Sequence, residues 1–279
     1  MRTLHSATLI EKIAEMCIKM NYYIDDELLN SLQNAQNAES SKLGKNILGQ
    51  IIENSKIASQ KNLPMCQDTG VAVVYAEIGE ELSLTGNLAD AVNAGIKKGY
   101  QAGFLRNSVV KHPLDRINTK DNTPAVIHLS RVPGDQLKLT IATKGAGSEN
   151  QSQLKMLKPA AGYDGVKHFI KEVVKQAGGS PCPPIIVGVG IGGSFEKCAM
   201  LAKEALMRPL SDIATDKIAA RLEQELLTEI NELNIGPMGF GGKVTALAVK
   251  VNTYPCHIAS LPVAVNIQCH SSRHLSEVF

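Results

Sequence analysis

Three of the six cysteines stand in short segments where a thiolate could serve as a ligand: Pro64-Met65-Cys66-Gln67-Asp68-Thr69-Gly70, Ser180-Pro181-Cys182-Pro183-Pro184 and Gln268-Cys269-His270. The first puts a thiol, an amide and a carboxylate side by side between a helical pattern and a strand pattern, where chemistry tends to sit on a rigid scaffold. It reads equally as a turn in which Asp68 caps backbone and Cys66 is a small buried hydrophobe. The prolines around Cys182 fix the backbone and remove amide donors, which suits a ligand loop or simply a stiff connection. Pro255-Cys256-His257 comes just before the apolar run that ends at Cys269. None of these thiols forms the local Cys-x-x-Cys pair of a zinc site, and their wide separation permits an iron-sulfur cluster assembled by tertiary structure. Cys17 and Cys198 lie on helical patterns and read as packing residues.

Gly188-Val189-Gly190-Ile191-Gly192-Gly193 matches Gly-x-Gly-x-x-Gly between a strand and a helix. A dinucleotide fingerprint also needs an acidic residue closing a second strand about 20 residues on. Here Arg208-Pro209-Leu210-Ser211-Asp212 runs on toward another helix instead, so tight strand-to-helix packing, or amides offered to an anion, is favoured over dinucleotide binding, which stays the lesser alternative. Lys144-Gly145-Ala146-Gly147-Ser148-Glu149-Asn150 is a second glycine-rich segment, either a plain turn or a place where amides approach a small anion. Arg106 is a candidate carboxylate clamp or a solvated surface charge.

The elements that must position these groups can be read from periodicity. Leu9, Ile10, Ile13, Ala14, Cys17 and Ile18 predict a helix from Thr3 to Met20, and Asp25 and Asp26 start another through Leu28, Leu29 and Leu32. A third helix, capped near Ser40 or Ser41, aligns Leu43, Ile47, Leu48, Ile51 and Ile52 before Asn62-Leu63-Pro64 breaks it. Strands follow at Val71 to Ile78, Ala125 to Val132 and Leu137 to Thr143, with a helix from Leu88 to Gln101. Helices at Asp164 to Gln176, from Ser194, and at Asp216 to Leu233 then alternate with strands at Ile185 to Val189, Val244 to Val251 and Leu261 to Ile267, leaving a short polar tail. The class expected is α/β, in the mixed α+β sense. A helical N-terminal segment precedes mixed sheets with flanking helices, in one domain over 1–279 with room for two lobes.

The chain has 279 residues, 44% hydrophobic and 20% charged, which suffices for a substantial core. A net charge of +2 without runs of like charge gives no electrostatic grip on nucleic acid. The longest apolar run, near Ile185 to Ile191, is far below the roughly 20 residues of a membrane helix. No secretory pattern opens the sequence, so a cytoplasmic protein with reduced thiols is expected.

Taken together, these segments resemble the α subunit of the two-subunit, iron-sulfur-dependent class I fumarate hydratases, with the tartrate dehydratase α subunit as near relative. The resemblance covers almost the whole chain. It also includes Asn118-Thr119-Lys120-Asp121-Asn122-Thr123-Pro124, Lys155 to Pro159 and Asn266-Ile267-Gln268-Cys269-His270. It implies that Cys66, Cys182 and Cys269 hold a [4Fe-4S] cluster with one open iron. It implies that Gln67, Arg106 and the Gly147 backbone contact a small dicarboxylate, and that Asp68 and His257 form an acid-base pair. It implies a hetero-oligomer with a β subunit carrying a swivelling domain absent from this chain. The intact Gly145 to Asn150 segment and the Gln268-Cys269-His270 ending favour fumarate hydration to L-malate over tartrate dehydration. A non-catalytic iron-sulfur scaffold or sensor is the rival of another class.

Overall fold

The structure is a computed structural model that describes residues 2–279. In chain order the elements are β1 (Arg2–His5), α1 (Ser6–Tyr22), α2 (Asp26–Ala38), α3 (Lys42–Lys61), β2 (Val71–Gly79), β3 (Leu82–Thr85), α4 (Leu88–Ala102), β4 (Val126–Val132), β5 (Leu137–Lys144), α5 (Ala146–Glu149), β6 (Gln153–Leu157), α6 (Gly162–Ala177), β7 (Ile185–Gly192), α7 (Phe195–Ala205), α8 (Lys217–Asn231), β8 (Ala246–Tyr254), β9 (Leu261–Gln268) and β10 (His274–Val278). The mixed α/β class is as expected. Contacts divide the chain into two compact units, the first of residues 1–25, 54–146 and 273–279, the second of residues 26–53 and 147–272.

In the first unit, sheet β10-β5-β2-β4 pairs β2 with β4 in parallel and with β5 antiparallel. One face of β2, through Ala72, Val74, Ala76 and Ile78, meets Leu137, Leu139 and Ile141 of β5 and the apolar faces of α1 and α4. The two helices cross closely. A side chain at Gly95 would start 2.6 Å from Ile13 Cβ, and one at Gly99 would start 2.8 Å from the Ala14 carbonyl oxygen. Cys17 is fully buried here, as its helical position predicts, and burial pushes its thiol up to about 12.

The second unit is a three-layer stack built on sheet β6-β9-β7-β8. Ile185, Val187 and Val189 of β7 face Val166, Ile170 and Val173 of α6 and Leu222, Leu226 and Ile230 of α8. The alternate positions, Gly188 and Gly190, face α7. A Cβ there would lie 2.2 Å from the Ala202 carbonyl oxygen and 2.0 Å from that of Cys198. The Gly-x-Gly-x-x-Gly match is therefore the seat of a helix packed directly on strand backbone. Asp216 caps α8, its Oδ1 accepting the Ala219 amide at 2.8 Å.

Several expectations need correction. Arg2 to His5 is a strand parallel to β3 rather than the first turn of a helix. Its four residues are too short to show a period. The polar tail is strand β10, paired antiparallel with β5; polar residues sit comfortably on an edge strand. β3 and β6 were not anticipated, and β6 carries the Lys155 to Pro159 segment to the edge of the second sheet. Ser41 caps α3 through Gly44, as expected, but Leu43 is exposed.

Candidate functional site

The groups of interest are distributed over both units. In the first, Asn62 leaves α3 with a φ of +51° and the chain turns into the Cys66 loop. Two amides bind this loop at its start: Met65 donates to the Asn21 carbonyl at 2.9 Å, and Asn54 Nδ2 donates to the Met65 carbonyl at 2.8 Å. At its end the buried Tyr100 hydroxyl donates to the carbonyls of Thr69 at 2.6 Å and Gly70 at 3.1 Å. Burial pushes that hydroxyl above its ordinary range, so it stays a donor. Gly70, with φ +72°, must be glycine, because a Cβ would lie 2.7 Å from Lys144 backbone.

On this braced loop Cys66 is a partly buried free thiol, Gln67 is exposed and Asp68 is half-buried. Asp68 Oδ1 accepts the Gly70 amide at 3.0 Å and Oδ2 accepts the Ala146 amide at 2.8 Å. The turn-capping reading of Asp68 and the functional one thus describe the same side chain. Arg106 is exposed just beyond α4, and its carbonyl accepts the Thr69 hydroxyl at 2.9 Å, so the cation and the carboxylate rise from loops tied together. The 118–124 segment contributes bracing rather than chemistry. Buried Asn122 donates to the Gly70 carbonyl at 3.1 Å and accepts the Ser108 amide at 2.7 Å, while Asn118 donates to the Asn107 carbonyl at 2.9 Å.

In the second unit Gly147 lies exposed on the one-turn helix α5. A Cβ there would touch only the Ser180 carbonyl, at 3.8 Å, so neither packing nor backbone strain demands glycine. What its absent side chain leaves is open access to the amide. Behind it Glu149 accepts Lys203 Nζ and, at 2.9 Å, Asn266 Nδ2. Cys182 has a φ of +56°, a conformation rare outside glycine and concentrated at functional positions. His270 Nδ1 donates to its carbonyl at 2.9 Å, which links the Cys182 turn to the neighbour of Cys269. The Cys269 thiol lies 3.3 Å from the Ser271 hydroxyl. His257 sits on an exposed loop where its Nδ1 accepts the Ala259 amide at 3.1 Å, so the neutral ring carries its proton on Nε2.

The donor chemistry separates the six cysteines, all of them free. Cys17 and Cys198 are fully buried, and burial raises both thiols, which opposes the thiolate a metal needs. Cys256 is exposed, with its thiol donating to the Ser260 carbonyl at 3.4 Å. Cys66, Cys182 and Cys269 are the three of intermediate burial, Cys66 in the first unit and the other two in the second. Among the described residues no group of three or more His, Cys, Asp or Glu side chains could hold a metal ion. The match to a cluster therefore rests on donor type and exposure. Among the same residues no helix is long and apolar enough to cross a membrane.

Asn122 lies in the 118–124 segment singled out by the sequence, but Tyr100 and Arg273 carry no motif that marks them, and their part is evident only once their partners are known. A buried tyrosine or arginine inside the chain has no spacing rule to reveal it.

A family model described as Fumarate hydratase (Fumerase) matches residues 10–278. A chain of Methanocaldococcus jannaschii provisionally named L(+)-tartrate dehydratase subunit alpha is 43% identical over 268 residues, covering 94% of both chains. The L(+)-tartrate dehydratase subunit alpha of Escherichia coli strain K12 is 30% identical over 269 residues, covering 95% of this chain and 88% of that one. The subunit of the same name from Shigella sonnei matches to the same extent.

Proposed function

The chain belongs to the fumarate hydratase family, and from that premise we propose that it is the cluster-bearing α subunit of a hydro-lyase that removes water from L(+)-tartrate. The observation that carries this reading is identity to tartrate dehydratase α subunits along nearly the whole chain. It reverses the preference for fumarate drawn from the Gly145 to Asn150 segment and the Gln268-Cys269-His270 ending. Hydration of fumarate to L-malate stays as the second reading because the matching family model bears that description.

Cys66, Cys182 and Cys269 are the three thiolate ligands of a [4Fe-4S] cluster, which fits the reducing conditions of a cytoplasmic protein. The chemistry such a cluster supplies, with one iron free of protein ligands, is Lewis-acid activation of a hydroxyl as leaving group. Arg106 supplies a planar fork for a substrate carboxylate. Gln67, exposed beside Cys66, and the open Gly147 amide give further hydrogen bonds that orient the dicarboxylate. Asp68 passes a proton to the departing hydroxyl so that it leaves as water, and takes it back in the reverse hydration, and His257 assists as an Nε2–H donor. Dehydration also requires a base for the hydrogen on the adjacent carbon and cations for the developing charge, which a β subunit carrying the swivelling domain provides in a hetero-oligomer.

The test is steady-state turnover of the anaerobically reconstituted chain, alone and with its β subunit, on L(+)-tartrate, L-malate and fumarate. Tartrate turnover that needs the β subunit is expected. A preference for malate and fumarate establishes the second reading. Turnover of none of the three by a complex with full cluster occupancy removes the hydro-lyase reading and leaves a scaffold or sensor.

A further inference from the structure

Arg273 is a buried arginine, only 3% exposed, at the point where the chain leaves the Cys269 region for β10. Its backbone is fixed, since its carbonyl accepts the Thr143 amide at 3.0 Å. Its guanidinium is held from behind: Nη1 donates to Asn21 Oδ1 at 3.0 Å. Asn21 is itself fully buried and anchored, with its Nδ2 donating to the Cys17 carbonyl at 2.8 Å. The same Asn21 accepts the Met65 amide through its backbone carbonyl, next to Cys66. Arg273 Nε is buried and has no hydrogen-bond partner.

A guanidinium is always charged, and a buried charge is tolerated only beside a compensating anion. Asp68 is an acid that borders the same space as Arg273. Gly145 lies in the gap: a Cβ at that position would start 3.1 Å from Asp68 Oδ2 and 3.6 Å from Arg273 Nη2. Carboxylate and guanidinium thus both border the space that a side chain at 145 would fill. The neighbouring amide of Ala146 already holds Oδ2.

We propose that Arg273 is a positioning residue for Asp68, a fixed buried cation that aligns the carboxylate against the Ala146 amide across the space left by Gly145. Arg273 does not touch substrate in this assignment. It acts through Asp68, and so rests on the acid-base reading given above for that residue.

The experiment is a double-mutant cycle in the reconstituted αβ complex with Asp68→Asn, Arg273→Gln and the double variant. It is paired with amide hydrogen exchange at Ala146 in the chain without cluster. Arg273→Gln should lower kcat about 10- to 100-fold, the scale set by misplacing a catalytic group by about 1 Å, while KM changes little. Added to Asp68→Asn it should cost no more than about twofold, because its effect passes through the residue already lost. The Ala146 amide should exchange faster in Arg273→Gln, as in Asp68→Asn. Where Arg273→Gln does not fold, Arg273→Lys carries the same cycle, since it keeps the charge but loses the fork. A slow Asp68→Asn enzyme in which the arginine substitution still multiplies the loss overturns the positioning role alone. An Asp68→Asn enzyme with undiminished kcat overturns the reading of Asp68 and this inference with it.

Discussion

His270 Nδ1 donates to the Cys182 carbonyl at 2.9 Å, so the residue beside one candidate ligand holds the backbone of another. Because a carbonyl only accepts, this bond fixes the ring with hydrogen on Nδ1. A second brace acts from the far side of the same turn, where the Met238 amide donates to the Pro183 carbonyl at 2.8 Å. The unusual backbone of Cys182 is thus held at two points adjacent to the thiol.

Removing the first brace should loosen the turn without changing any ligand. His270→Ala is expected to reduce stability by about 1 kcal/mol, the typical net value of a hydrogen bond in a partly buried setting. It should also lower the iron retained per chain after reconstitution and desalting. Iron content equal to wild type, with unchanged stability, would show that the bond does not hold the Cys182 turn.

The six cysteines should fall into two groups when replaced one at a time by serine. Cys66→Ser, Cys182→Ser and Cys269→Ser should lose the cluster, read as iron and sulfide per chain and by Mössbauer spectroscopy. Cys256→Ser should keep it. Cys17→Ser and Cys198→Ser should also keep it but lower the unfolding midpoint, since each puts a hydroxyl where a buried thiol packs; the expected cost is about 1–3 kcal/mol. Full occupancy in any of the first three variants would remove that cysteine from the ligand set.

Gly190→Ala should be severely destabilising and chemically uninformative. The added Cβ would lie 2.0 Å from the Cys198 carbonyl oxygen and 2.6 Å from the Ala202 amide nitrogen, both backbone atoms of α7 that cannot turn aside. Overpacking of this kind costs at least about 1–3 kcal/mol, and more when the obstacle is backbone. Urea unfolding checks the loss. Titration of wild type with NADH should show no saturable binding; saturable binding would restore the dinucleotide reading of this segment.

Much of this was legible before the structure. The long amphipathic helices declare themselves by period, whereas composition leaves the Cys66, Cys182 and Cys269 segments open between ligand loops and plain turns, and only the family resemblance joins them. Short elements were not legible: β1 and β3 each have four residues, fewer than a reliable alternation needs. β10 was hidden by its polar residues, His274, Ser276 and Glu277, on an edge strand. The glycines of 188–193 carried an ambiguous signal, because close helix packing and phosphate binding both require a missing Cβ. Neither Arg273 nor Tyr100 could be assigned to the site, since their significance lies in partners distant in sequence.

Glu39 offers a pH test of the scaffold that ties the start of α3 to the segment before β8. Its carboxylate is buried and accepts four backbone amides: those of Ser40 at 2.7 Å, Ser41 at 2.9 Å, Lys243 at 3.0 Å and Val244 at 2.9 Å. Gly242 leaves room for it, since a Cβ there would lie 2.7 Å from Glu39 Oε2. Burial alone pushes this carboxyl up, but the amides of Ser41, Val244, Lys243 and Ser40 together outweigh it and hold the carboxyl below its ordinary value. A depressed folded value means the stabilisation is present above the unfolded value of roughly 4.3. It is lost as pH falls from there through the folded value. Glu39→Gln cannot accept as an anion and should reduce stability at pH 7 by about 1.5–3 kcal/mol, the range for hydrogen bonds to a charged group. Other carboxyls, including Glu225, are also depressed, so wild type alone will lose stability in acid for several reasons. The difference between wild type and Glu39→Gln isolates this one. Urea midpoints measured from pH 7 down to pH 3 should show that difference shrinking below about pH 4.5. A difference that stays constant across the range would mean that the four amides do not favour the ionised carboxylate.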